Sequence, residues 1–161
     1  MDINWESELA ALLERLSSTQ NSLLDLLAQK HDLIMQRDHQ GLAALSPQEA
    51  QLGADLKACH DRRQELLTLA ANAGLPADSI QSLSKTLPEE SAQKLQQPLD
   101  ESRKRTKLLQ HKSIAQWVVV QRTVLHLSQM LEIIATGGKL QPTYGKEGPA
   151  ENSGSLMDRA V

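Results

Sequence analysis

Leu9, Leu13, Leu16, Gln20, Leu23, Leu27, Lys30 and Ile34 follow one another in alternating steps of four and three residues. This is the a/d spacing of a helix that packs lengthwise against another helix. Acids at Asp2, Glu6 and Glu8 suit the positive end of its dipole. The pattern predicts a first helix over about residues 4–37. At ~1.5 Å per residue it would be on the order of 50 Å long, which points to an elongated hairpin or bundle.

"RDHQG" breaks the pattern at Gly41, and "LSPQEA" restarts it with Ser46 as N-cap, Pro47 as first helical residue and Glu49 closing a capping box. A second helix is expected over 47–73, with its seam at Leu52, Leu56, Cys59, Arg63, Leu66, Ala70 and Ala73. It stops at "NAGLP", where Gly74 takes the left-handed C′ position and Pro76 blocks continuation. Residues 77–97 read as a connector, with Asp78 and Gln81 capping a brief helix and Pro88-Glu89-Glu90 able to start another. The last helix is expected over 98–135, ended by Gly137 and Gly138. Its seam is polar upstream (Leu99, Ser102, Thr106, Leu109, Ser113) and apolar downstream (Trp117, Val120, Val124, Leu127, Leu131, Ile134), with a stutter at Leu109-Ser113-Trp117.

The predicted fold is all-α: an elongated antiparallel bundle or coiled coil of three long helices with a short helical connector over residues 1–136, followed by a flexible C-terminal tail over 137–161. The tail holds five of the eight glycines and two of the six prolines, and its apolar residues have no period, so burial cannot offset its ordering entropy. Composition agrees with this, because the apolar share is mostly Leu, Ala, Val and Ile, with no Phe and one Tyr.

The stretch "SIAQWVVVQRTVLHLSQMLEII" departs from what a bundle needs. From Ile114 to Ile134, 13 of 21 residues are apolar, whereas a helix that buries one face needs about 3 in 7, or roughly 9. The surplus is Val118, Val119, Leu125, Met130 and Ile133. Either a further helix of the same chain covers it, or another protein does.

Candidate chemistry is sparse. His31, His39, His60, His111 and His126 have no paired ligand spacing and no Glu-x-x-His, so no metal site is expected. Cys59 and His60 are sequence neighbours that point in different directions on a helix, and no glycine-rich phosphate loop is present. The expected chain is not an enzyme, has no catalytic residues and needs no cofactor. "ESRKRTK" places Arg103, Lys104, Arg105 and Lys107 in a run without stacking aromatics, which reads as a solvated face, not a nucleic-acid site. A net charge of −3 gives no strong pull toward nucleic acid or acidic membranes. The acidic opening "MDINWESELA" is no signal peptide, no segment reaches the ~20 apolar residues of a membrane span, and lone Cys59 suits a reduced thiol. The expected location is cytoplasmic, without membrane insertion.

Two further features carry a resemblance. "RDHQGLAALSPQEAQLGADLKACHDRRQELLTLA" sets an aspartate and spaced leucines before a long leucine seam, and "QMLEII" is followed after a short linker by "PTYGKEG". In this organisation, over about residues 9–148, the chain resembles the FlgN family of flagellar type III export chaperones. Where that family often has Asn-x-x-Asn-Gly early in the last helix, this chain reads Ser113-Ile114-Ala115-Gln116-Trp117. The resemblance implies a cytoplasmic chaperone that holds the C-terminal helical segments of the hook–filament junction proteins FlgK and FlgL, prevents their early association and delivers them to the export gate component FlhA. It places client contact on the last helix, at Trp117, Val118, Val119, Val120, Val124, Leu125, Leu127, Met130, Leu131, Ile133 and Ile134. It places gate docking at Tyr144 and Gly145. The alternative is a structural coiled-coil protein without a client, whose surplus apolar face is a homo-oligomer interface; a chaperone could also self-associate while it waits for a client.

Overall fold

The computed structural model of the chain describes residues 3–136. It contains four helices and, among the described residues, no strand: α1 Trp5–Gln36, α2 His39–Asn72, α3 Ile80–Ser84 and α4 Glu89–Ala135. The chain divides into two compact units, Met1–Val120 and Gln121–Val161.

α1 begins where the sequence places it. The Asn4 side chain accepts from the Ser7 N–H at 3.1 Å, and Glu6 and Glu8 lie in the first turn. It ends at Arg37, a non-glycine residue held left-handed at φ 57°, while the Asp38 N–H bonds back to the Leu33 carbonyl at 2.9 Å. Asp38 then serves the next helix, its carboxylate accepting from the Gly41 N–H at 2.8 Å.

α2 therefore starts at His39, not at residue 47. Gly41 does not break the helix. A Cβ there would come within 2.6 Å of the Asp38 carboxylate and 2.7 Å of the Leu33 side chain, so glycine permits a close approach at the cap. Pro47 lies inside α2 and Ser46 caps nothing. The loss of one backbone donor is tolerated because the helix is already nucleated upstream and is paired with α1. The far end of α2 follows the sequence: Gly74 is left-handed at φ 72°, and the Leu75 N–H reaches the Ala70 carbonyl at 2.9 Å.

Two further boundaries move. α3 is capped by Ser79, whose hydroxyl accepts from the Ser82 N–H at 3.0 Å, and not by Asp78. α4 starts at Glu89 and not at residue 98, directly after Pro88, with Glu89 and Glu90 favouring its first turn. Pro98 sits within it. The stretch read as connector is thus a five-residue helix followed by the first turns of a long one.

Within the unit Met1–Val120, α1 and α2 form an antiparallel hairpin. Arg62 of α2 pairs with Glu8 of α1 at 2.5 Å, and Lys30 of α1 pairs with Glu49 of α2 at 2.8 Å. α4 runs parallel to α1 in this unit, because Ser91 donates to Glu6 and the Gln20 amide donates to the Ser102 carbonyl. The core gathers Leu9, Leu12 and Leu13 of α1 with Leu66, Leu67 and Ala70 of α2, joined by Ile80 and Leu83 of α3 and Leu95 of α4. Each buried leucine contributes about 1.5–3 kcal/mol relative to an exposed one.

Beyond Leu99 the α1–α4 seam becomes polar. Gln20 is buried; its amide donates to the Ser102 carbonyl at 3.2 Å and to Thr106 Oγ1 at 2.9 Å, and its carbonyl accepts from Arg105 Nε at 3.1 Å. A buried amide with its partners satisfied fixes register, since any slide strands its donors. Arg105 is drawn inward here, so the basic run around it is not wholly a solvated face.

Candidate functional site: an exposed apolar helix face

α4 has more apolar side chain than its surroundings bury. In the unit Met1–Val120, Ile114, Trp117, Val119 and Val120 are exposed and Val118 is half-buried; Trp117 keeps 63% of its surface accessible. Gln116, between them, donates its amide to the Leu27 carbonyl of α1. Beside it a groove of about 330 Å³ is lined by Leu27, Ala28 and Ile34 of α1 and by Ala115 and Val119 of α4, with the polar side chains of Asp32 and Lys112 also in its lining. Leu27 and Ile34 were legible only as seam residues of α1, and nothing in their spacing marked them as a wall left open.

In the unit Gln121–Val161, described as far as residue 136, every described side chain is exposed. Val124, Leu125, Leu127, Met130, Leu131, Ile133 and Ile134 are all apolar and all accessible, Ile134 at 72%. Their helix continues in hydrogen-bonded form to Ala135, and the Thr136 hydroxyl caps the Glu132 carbonyl at 2.8 Å.

The exposure extends beyond the surplus read from composition. Seam positions Trp117, Val120, Val124, Leu127, Leu131 and Ile134 were expected to pack along the bundle, and they are exposed too. For Trp117 and Val120, in the unit Met1–Val120, the physical reason lies in how α3 is used. α3 places Ile80 and Leu83 in the core around Leu9 and Leu66. The five residues of α3 leave no second apolar face to lay elsewhere.

The described residues offer little else to chemistry. No group of three or more His, Cys, Asp or Glu side chains that could hold a metal ion occurs among them. Cys59 is a free, buried thiol. Arg62 is held above the usual guanidinium range, first by its hydrogen bond to Glu65 and then by that to Glu8, which makes it a clip between α1 and α2. No helix among the described residues is long and apolar enough to cross a membrane. Tyr144 and Gly145 lie outside the described residues.

Apolar side chains of α4 are thus exposed in each unit taken by itself. The family model described as FlgN protein matches residues 1–152 of the chain. The chain belongs to the FlgN family. FlgN proteins are flagellar export chaperones that bind export substrates, and the family is one of chaperones, not of enzymes. No curated protein and no solved structure matches the chain.

Proposed function

We propose that this FlgN-family chaperone serves the hook–filament junction proteins of the FlgK and FlgL type, in the cytoplasm, and hands them to an FlhA-type component of the export gate. The observation that carries the reading is the run of exposed apolar residues on α4. An amphipathic C-terminal helix of the client lays its apolar face on Trp117, Val118, Val119, Val120, Val124, Leu125, Leu127, Met130, Leu131, Ile133 and Ile134, as in helix-in-groove recognition. Covering the client's helix keeps it from its own assembly partners until export. Tyr144, followed by Gly145, docks at the gate, where a tyrosine provides a large contact with few torsions to freeze.

Binding of the purified full-length chain to the C-terminal segment of a FlgK-type protein, followed by calorimetry, tests the reading. Leu125→Glu with Leu131→Glu is expected to weaken client binding at least tenfold, while Tyr144→Ala leaves it unchanged and reduces capture of the cytoplasmic domain of an FlhA-type protein. Loss of client affinity in Tyr144→Ala would overturn this division of labour. Sedimentation over a concentration range supplies the other check. A tight dimer or tetramer that competes with the client for Leu125 would favour the structural coiled-coil reading.

A further inference from the structure

A second recess lies wholly within the unit Met1–Val120. It is a half-open groove of about 460 Å³ to which α1 contributes Leu12, Leu13 and Leu16, α2 contributes Leu56 and Cys59, and α4 contributes Leu99. α1, α2 and α4 each supply walls of this recess, which stays half-open between them. α3 is too short to fill the space and supplies only Ser79, Ile80 and Gln81. Leu56 shows the result: it stands on the seam of α2 and remains 38% exposed.

The polar part of the lining is one-sided. Arg63, Arg103 and His60 line the groove, and no carboxylate is among its lining residues. Arg63 occupies a seam position, where the helix period calls for an apolar residue. Arg103 donates to the neutral amide oxygen of Gln81. Neither arginine pairs with a carboxylate among the described residues, whereas the neighbouring Arg62 and Arg105 both do. An apolar partner laid over these two guanidinium groups would strip their water without returning a charge, at a cost that disfavours it. A partner bringing acids would instead form charge-assisted hydrogen bonds.

We propose that this groove docks a short amphipathic helix of a partner protein, with apolar anchors on one face and carboxylates flanking them. The walls fit such an occupant. Leu56 to Arg63 and Leu99 to Thr106 each span about 10 Å at 1.5 Å per residue, room for roughly two helical turns with anchors spaced three and four apart. The incoming helix completes the bundle as the fourth long element, with its apolar side toward Leu12, Leu16, Leu56 and Leu99 and its acids toward Arg63 and Arg103.

The test uses two synthetic amphipathic peptides with identical leucines, one carrying glutamates and the other lysines on the flanks of the apolar face. They are titrated, as fluorescent conjugates, into the full-length chain and into the full-length Leu125→Glu/Leu131→Glu variant, which silences the apolar face of α4. The glutamate peptide is expected to bind both proteins, at least ~10-fold tighter than the lysine peptide at low salt. Arg63→Glu with Arg103→Glu reverses that preference, and Arg63→Gln with Arg103→Gln abolishes it; unchanged circular dichroism and melting temperature confirm that these variants are folded. Equal binding of the two peptides, or a preference that survives the charge reversal, overturns the proposal. So does glutamate-peptide binding that disappears in the Leu125→Glu/Leu131→Glu variant, which would place it on α4, and so does displacement of the peptide by self-association of the chain, which would make a second copy the occupant. Because the variant lacks the α4 face, failure of the client reading leaves this result intact.

Discussion

Leu9, Leu66 and Leu83 on one side and Leu125, Leu131 and Ile134 on the other are the same kind of residue on the same kind of helix, and they meet opposite fates. The first three are fully buried where α1, α2, α3 and α4 converge, and the second three are 60–72% exposed. Helical period and hydrophobicity are shared by both sets, so neither property decides burial. What decides it is the supply of partner faces: three other helices reach the first set, while no described side chain in the unit Gln121–Val161 is buried. Apolar residues kept where no partner face covers them are costly for solubility, and a chaperone is the kind of protein for which that cost has a use.

The largest test of this contrast is truncation in the core. Leu66→Ala, at a site with no exposed surface, is expected to lower unfolding free energy by about 2–5 kcal/mol, measured by urea denaturation. Leu131→Ala should change the same quantity by less than about 0.5 kcal/mol while weakening client binding. A large stability loss from Leu131→Ala would mean that the face is covered within the chain, and the contrast would fail.

Next in size is the polar layer that separates the two kinds of packing along α1. Gln20→Ala removes an acceptor from Arg105 and donors from Ser102 and Thr106, and is expected to cost about 1–3 kcal/mol. Hydrogen exchange should then quicken in α4 around residues 102–106 with little change around Leu95. Exchange that quickens evenly through α4 would show that the layer sets no boundary.

Gly41→Ala is expected to cost about 1 kcal/mol, because the new methyl group collides with the Asp38 cap; a calorimetric melt reads it. The smallest effect is that of Arg62→Ala. Its ion pairs with Glu8 and Glu65 are more than a third exposed, so the loss should stay below ~1 kcal/mol and shrink further in high salt, as denaturation at two ionic strengths would show.

Much of the fold was legible in the chain because its signals were redundant. The seam from Leu9 to Ile34 yields α1 almost to the residue, and Gly74 followed by Pro76 marks the end of α2. The boundaries that moved are those that rest on a single residue. Pro47 and Pro98 both look like first helical positions, yet upstream turns capped by Asp38 and begun at Glu89 carry the helix through them. Gly41 looks like a breaker in the sequence because its steric role depends on where the Asp38 and Leu33 side chains come to rest, which no local pattern states. The apolar surplus on α4 was visible as composition. Its seam reads as a packing face from sequence and is exposed, because periodicity says which residues share a face and not whether anything faces them. The groove has no sequence signal for the same reason: Arg63 falls on a seam, and the lack of carboxylates in the groove's lining appears only when three helices are assembled.

Cys59 also makes the molecule its own clock. It is the chain's single cysteine, it is 2% exposed, and it belongs to the core cluster. A thiol reagent in excess can therefore modify it only as often as the packing around its sulfur opens, so the labelling rate times that opening with no probe added. If opening and closing are fast relative to labelling, the ratio of that rate to the rate in denaturant gives the population of the opened state. Client, gate or peptide added to the same tube would each be seen as a slowing or quickening of one chemical reaction.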